Sequence, residues 1–171
     1  MSRGGLIDLL REVAAYGGDD LRTDIINFRT TVPTTGAITQ PTAEKLRGDY
    51  DHYIIEMRAS MTGAGNTDNV TNADAKYDDV DEIRFNFRES GTGQNMYSTD
   101  IELALLVDSI SGAPIPLSFG RVGYKIRAGA DLSITVTRRA TTITTQRVVN
   151  VALIVALVPE GFHTRKRKLL D

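Results

Sequence analysis

The stretch from Gln146 to Val158, QRVVNVALIVALV, constrains the fold more than any other part of this chain. On an extended backbone Val149, Val151, Leu153, Val155 and Leu157 share one face, and Val148, Ala152, Ile154, Ala156 and Val158 the other. Its β-branched content, with Pro159 just beyond, specifies a strand rather than a helix. A strand apolar on both faces needs two covers. One is the core of its own domain; the other is an internal helix or another subunit. The unbroken apolar run, Val151 to Val158, is far shorter than the ~20 residues of a membrane helix.

The rest of the chain is polar enough to make that strand conspicuous. Of 171 residues, 41% are hydrophobic and 25% charged, which predicts one soluble domain with or without arms. The formal net charge of −2 gives no overall attraction to nucleic acid or to an anionic membrane. With no cysteine, a disulfide framework and a thiolate metal site are both excluded. Asp8 interrupts the first apolar residues, so the N-terminus does not read as a secretory signal.

Periodicity then divides the chain. Leu6, Leu9, Leu10 and Val13 recur at helical spacing before Gly17-Gly18, predicting a short amphipathic helix on a glycine hinge. Asp24 to Arg29 reads as a first strand and Pro41 to Arg47 as a single helical turn. From Tyr53 the period becomes two, with Tyr53, Ile55, Met57, Ala59 and Met61 on one face. Residues 62–79 are almost without apolar side chains and read as an exposed loop. Ile83, Phe85 and Phe87 alternate with Arg84, Asn86 and Arg88. A glycine-rich turn over 90–95 follows, then a strand from Ile101 to Val107. Short strands over 122–126 and 132–136 precede the long one. No helix-length segment separates these strands, so a parallel sheet is excluded. The expectation is an all-β antiparallel sandwich of jelly-roll type with about eight strands. Its parts are a helical arm over 1–18, the sandwich over 19–160 and a basic tail over 161–171.

No residue set specifies a reaction. His52 and His163 lack a serine elbow or a carboxylate at triad spacing, and no phosphate loop or HExxH pattern occurs. Catalytic residues and cofactors are therefore expected to be none. Asp74, Asp78, Asp79 and Asp81 form the one weak calcium candidate, because calcium takes several oxygen ligands. Their spacing matches no EF-hand, and a solvated acidic loop is the plainer account. Arg165, Lys166, Arg167 and Lys168 would attract phosphate or an acidic protein surface. A solubilising end explains the same four residues.

The segments from Asp81 through Leu117 and from Val122 through Val136 carry a resemblance. IRFNFRESGTGQN, the short loop before PLSF, and an acidic residue opening the Ser/Thr-bearing strand DLSITVT are similar to small jelly-roll proteins of bacteriophage virions. The resemblance implies a capsid, decoration or vertex subunit without enzymatic activity, homo-oligomeric and tied to neighbours by terminal arms. Its expected place is the virion, after synthesis in the host cytoplasm. Expected partners are copies of itself and other capsid proteins, with packaged nucleic acid or an acidic neighbour on the tail; neither a membrane nor a small-molecule substrate is expected. The expected contacts are Leu6, Leu9, Leu10 and Val13 in the arm and Ile154, Ala156 and Val158 on the second face of the long strand. The alternative is a β-sandwich binding module that recognises a glycan or a protein through the 62–79 loop.

Overall fold

The computed structural model describes residues 11, 22–63, 78–90, 93, 95–108, 113–119, 124–140, 143 and 146–160. Nine strands lie among them, in two sheets whose pairings are all antiparallel. The first sheet runs β1 (Arg22–Val32), β9 (Arg147–Pro159), β3 (Tyr50–Gly63), β6 (Leu117–Ser118), with β7 (Tyr124–Ile126) also paired to β3. The second runs β2 (Glu44–Lys45), β8 (Asp131–Arg138), β4 (Ile83–Glu89), β5 (Ile101–Glu102).

These orders are those of one long antiparallel ribbon rolled up on itself. β1 pairs β9, β2 pairs β8, β3 pairs β6 and β7, and β4 pairs β5, working inward from the ends of the chain. Because β6 and β7 share one position beside β3, the ribbon has eight strand positions in two sheets. That is a jelly roll.

The long strand sits where its two-faced apolarity is needed. β9 is flanked by β1 along eleven residues and by β3 along its whole length, so it has no free edge. Val149, Val151, Leu153, Val155 and Leu157 enter the core between the sheets. They meet Ile26, Phe28 and Val32 of β1, and Phe85 and Phe87 of β4. Phe87 centres the aromatic contacts, 5.7 Å from both Phe28 and Phe85. The burial of β1 from Ile26 onward alternates with period two, as a strand with one face on a core requires.

Three local expectations are corrected. The uniform alternation from Tyr53 is broken by a bulge, because Ile54 pairs Val155 while Glu56 pairs Ile154. Ile55 is the extra residue, and its carbonyl accepts a hydrogen bond from the Phe119 N–H at 2.9 Å. Ile54 therefore joins Met57, Ala59 and Met61 in the core, and Ile55 does not. Pro41 to Arg47 is not a helical turn; it carries β2, held by pairing of Glu44 with Leu132 and Lys45 with Asp131. The strand expected over 101–107 stops after two residues and becomes a 3-10 turn over Leu103–Leu105. Leu103, Leu106 and Val107 are all fully buried there, at the spacing of a helical turn.

The connection from β1 to β2 is fastened to β8 by two side chains. The Arg138 guanidinium donates to the carbonyls of Pro33 (2.7 Å), Thr34 (2.9 Å) and Gly36. The Gln40 amide accepts from Val136 N–H at 2.7 Å and donates to Val136 C=O at 2.9 Å, as a neighbouring strand would. All of the predicted arm over 1–18 except Arg11, most of the 62–79 loop and the tail over 161–171 lie outside the described residues.

Candidate assembly surface

The outward faces of the two sheets differ in chemistry. On the second sheet, cross-strand register places Arg84 beside Thr137, Asn86 beside Thr135, and Arg88 beside Ser133. Arg84 donates to Glu102 at 2.7 Å, and the Asn86 amide donates to the Tyr97 carbonyl (3.1 Å) and to Asp100 (3.2 Å). This face is polar throughout and internally bonded.

The first sheet is divided along its length. Towards one end, Arg29, Asn150 and Ser60 line up across β1, β9 and β3. Towards the other end the rows become Ile25–Ile154–Glu56 and Thr23–Ala156–Tyr53. Ala156 and Val158 are each only 1% exposed, and Ile154 is partly buried. Neither Ala156 nor Val158 belongs to the core between the sheets, so this face is shielded separately from that core. The large apolar side chain exposed beside it is Ile25, 64% exposed on the edge strand.

Beside this face, Lys125 reaches Asp51 at 2.6 Å and lies 5.9 Å above the Tyr53 ring. Burial pushes the Tyr53 phenol above its ordinary range, and the nearby Lys125 ammonium opposes that. Glu56, on the same face, pairs with Arg58.

At the opposite edge of the first sheet, residues 113–118 are exposed without interruption. Ile115 N–H donates to the Leu106 carbonyl at 2.7 Å, and Val107 bridges Pro114. This pairing brings exposed Leu105 (61%), Ile115 (44%) and Leu117 (37%) into one region. Pro114 and Pro116 remove two backbone donors from that edge, which discourages strand pairing and leaves side chains to make contacts. Together with Ile25, these three are the large apolar side chains exposed among the described residues.

The remaining candidates scatter. Leu6, Leu9, Leu10, Val13, Asp74 and Arg165 to Lys168 lie outside the described residues. Asp78 and Asp79 are placed by backbone only, in a 3-10 turn over Asp78–Glu82, and Asp81 in that turn is exposed. Among the described residues, no three His, Cys, Asp or Glu side chains gather as a metal site would need. His52 is buried inside the sandwich end, and Tyr97 packs on Phe119 with ring centroids 6.4 Å apart.

The exposed apolar edge at Leu105, Ile115 and Leu117 escapes sequence reading because it has no period. Its one signal is an apolar residue, Ile115, held between two prolines.

No protein-family model and no curated protein matches this chain. Among solved structures, the capsid asymmetric unit of cyanophage Pam1 is similar at 15% identity and a TM-score of 0.43, covering 83% of this chain and 89% of that one. The decameric BFDV capsid protein is similar at 11% identity and a TM-score of 0.30, covering 81% of this chain and 99% of that one.

Proposed function

We propose that this chain is a structural subunit of a virion (capsid, decoration or vertex) that acts by self-association and catalyses no reaction. One observation carries the reading: on a jelly roll, the large apolar side chains exposed among the described residues lie by two opposite edges of one sheet. Ile25 marks one edge, and Leu105, Ile115 and Leu117 mark the other. Two unlike patches on opposite edges suit a head-to-tail contact, which closes into a ring when the rotation allows.

The magnitudes say what else such an assembly requires. These four side chains are on average about half exposed, so burying the remainder contributes roughly 3–6 kcal/mol at about 1.5–3 kcal/mol for a whole side chain. Association itself costs about 4–15 kcal/mol. One contact of this kind is therefore weak, and ring closure or extra contacts must supply the surplus. The proposed sources of extra contact are the arm over 1–18, through Leu6, Leu9, Leu10 and Val13, and the tail, through Arg165, Lys166, Arg167 and Lys168. Copies of this chain, other shell proteins and an acidic or phosphate-bearing surface are the corresponding partners.

The test is the molar mass of the full chain by light scattering, at low and high salt. A discrete oligomer that Leu117→Asp and Ile25→Asp each dissociate is the expected result. A mass of 18.7 kDa in both salts, unchanged by either substitution, would overturn self-association.

A further inference from the structure

A buried histidine stands where the two sheets meet at the β1–β2 corner, away from the exposed residues Leu105, Ile115 and Leu117. His52 is 2% exposed and paired, within its sheet, with Leu157 and Ile126. It lines a cavity of about 320 Å³ together with Asp24 and Ile26 of β1, Glu44 and Lys45 of β2, and Leu46 just after β2. Its Nδ1 atom is buried and has no hydrogen-bond partner among the described residues. Nature rarely leaves such an atom unmatched.

The surroundings are poorly furnished for a cation. On β1, Asp24 accepts from the Ile25 N–H at 2.8 Å. On His52's own strand, Asp51 is committed to Lys125 at 2.6 Å and to Ala128 N–H at 3.4 Å. On β2, Glu44 and Lys45 oppose each other in sign and are both exposed. Past β2, Arg47 adds a positive charge, held 3.5 Å from Asp49 and 5.1 Å from the Tyr50 ring centroid. Burial accordingly pulls the imidazole below its ordinary range, opposed by the Tyr50 backbone and by Asp24 and Asp51, and reinforced by Arg47.

The neighbouring strand is a short edge of the second sheet. β2 pairs β8 through only two residues, extended by the Leu46 N–H bond to the Ala130 carbonyl at 2.9 Å. We infer that His52 is a proton-operated latch for this corner. Neutral, it fits the closed seam; protonated, it favours an open seam in which the imidazolium reaches water and the β1 edge is uncovered. The inference concerns the single folded chain and stands whether or not the chain assembles.

The direction follows from linkage. The open state binds the proton more tightly than the closed one, so protection of the seam is complete above the free imidazole value of 6.5 and is lost as pH falls below it. If the closed state stays neutral, opening becomes easier by up to about thirtyfold between about pH 7.5 and about pH 5, a limit set by the free value alone.

The experiment is amide hydrogen exchange on the full chain at those two pH values, corrected for intrinsic rates. Peptides covering 22–28 and 44–54 report the seam, and peptides in β4 report the rest of the sandwich. The chain has two histidines, so His52→Gln and His163→Gln are run alongside. The expected result is at least a threefold fall in protection at the seam on acidification, absent in His52→Gln and kept in His163→Gln. Should His52→Gln not fold, His52→Asn and the imidazole resonances of the unsubstituted chain take its place, the buried ring being expected to titrate below its free value. Equal protection at both pH values, a fall that survives loss of His52, or a ring that titrates at its free value would each overturn the latch.

Discussion

Replacing Gln40 tests how the two sheets are held in register at the β1–β2 corner. Its amide makes two bonds to one residue of β8, accepting from Val136 N–H at 2.7 Å and donating to Val136 C=O at 2.9 Å. A neutral hydrogen bond contributes about 0.5–1.5 kcal/mol net, so Gln40→Ala should cost about 1–3 kcal/mol. For a chain of this length that lowers Tm by about 2–4 °C per kcal/mol, measured by scanning calorimetry or denaturant melts. Gln40→Glu sharpens the argument. A carboxylate keeps the acceptor for Val136 N–H but faces the Val136 carbonyl with no donor, so it should be at least as harmful as alanine near neutrality. In acid the protonated side chain regains an O–H donor, and the gap between the glutamate variant and the parent should narrow. Arg138→Ala removes the other fastening, to Pro33, Thr34 and Gly36, and couples to Gln40→Ala because both hold the same connection. Single variants within about 0.5 kcal/mol of the parent, and a double variant that is simply additive, would refute the view that these side chains fasten the corner.

Two further perturbations examine other parts of the same account. Deleting Ile55 removes the extra residue yet keeps Ile54 opposite Val155 and Glu56 opposite Ile154, so both core faces of β3 survive and the loss should be close to that of the Phe119 N–H bond, about 0.5–1.5 kcal/mol in denaturant melts; a loss well above about 3 kcal/mol would sink the register argument. Tyr97→Phe removes a buried hydroxyl that bonds to nothing among the described residues, so stability should hold or rise by up to about 1 kcal/mol, whereas a loss of that size would reveal a partner. Burial pushes the Tyr97 phenol up to about 12, with Tyr124 adding to it. The unfolded chain therefore ionises this phenol first as pH rises through about 10, the folded state loses stability there, and Tyr97→Phe should lessen that loss in alkaline melts.

Much of the sandwich was legible because a central strand writes its surroundings into its own sequence. β9 has neighbours on both edges and cover on both faces, so nearly every position is apolar. β4 shows the simpler case, with Phe85 and Phe87 inward and Arg84 and Arg88 outward. β2 was not legible, since two residues cannot display a period and what makes them a strand is β8, more than eighty positions away. The Ile55 bulge was hidden for a related reason. An uninterrupted alternation from Tyr53 to Met61 is a consistent strand by itself, and only pairing with β9 shows that Ile54 and Met57 must both face the core.

The same logic explains why the candidate assembly surface was the least legible part. Rolling the ribbon puts the last strand beside the first and in the middle of its sheet, so its edges and its core face are used within the chain. On its other face Ala156 and Val158, which their apolarity marks as contact residues in the sequence, are each 1% exposed in the single chain. In the proposed assembly, contact falls to the two edges of that sheet. One is the exposed beginning of β1, and the other is the segment 113–118, where prolines and two-residue pairing suppress any period. Periodicity records what a chain buries within itself. A surface reserved for a neighbour is buried only in the assembly, and at an irregular edge it leaves single residues such as Ile25, Ile115 and Leu117 that become meaningful once the rolled sheet brings each to its side.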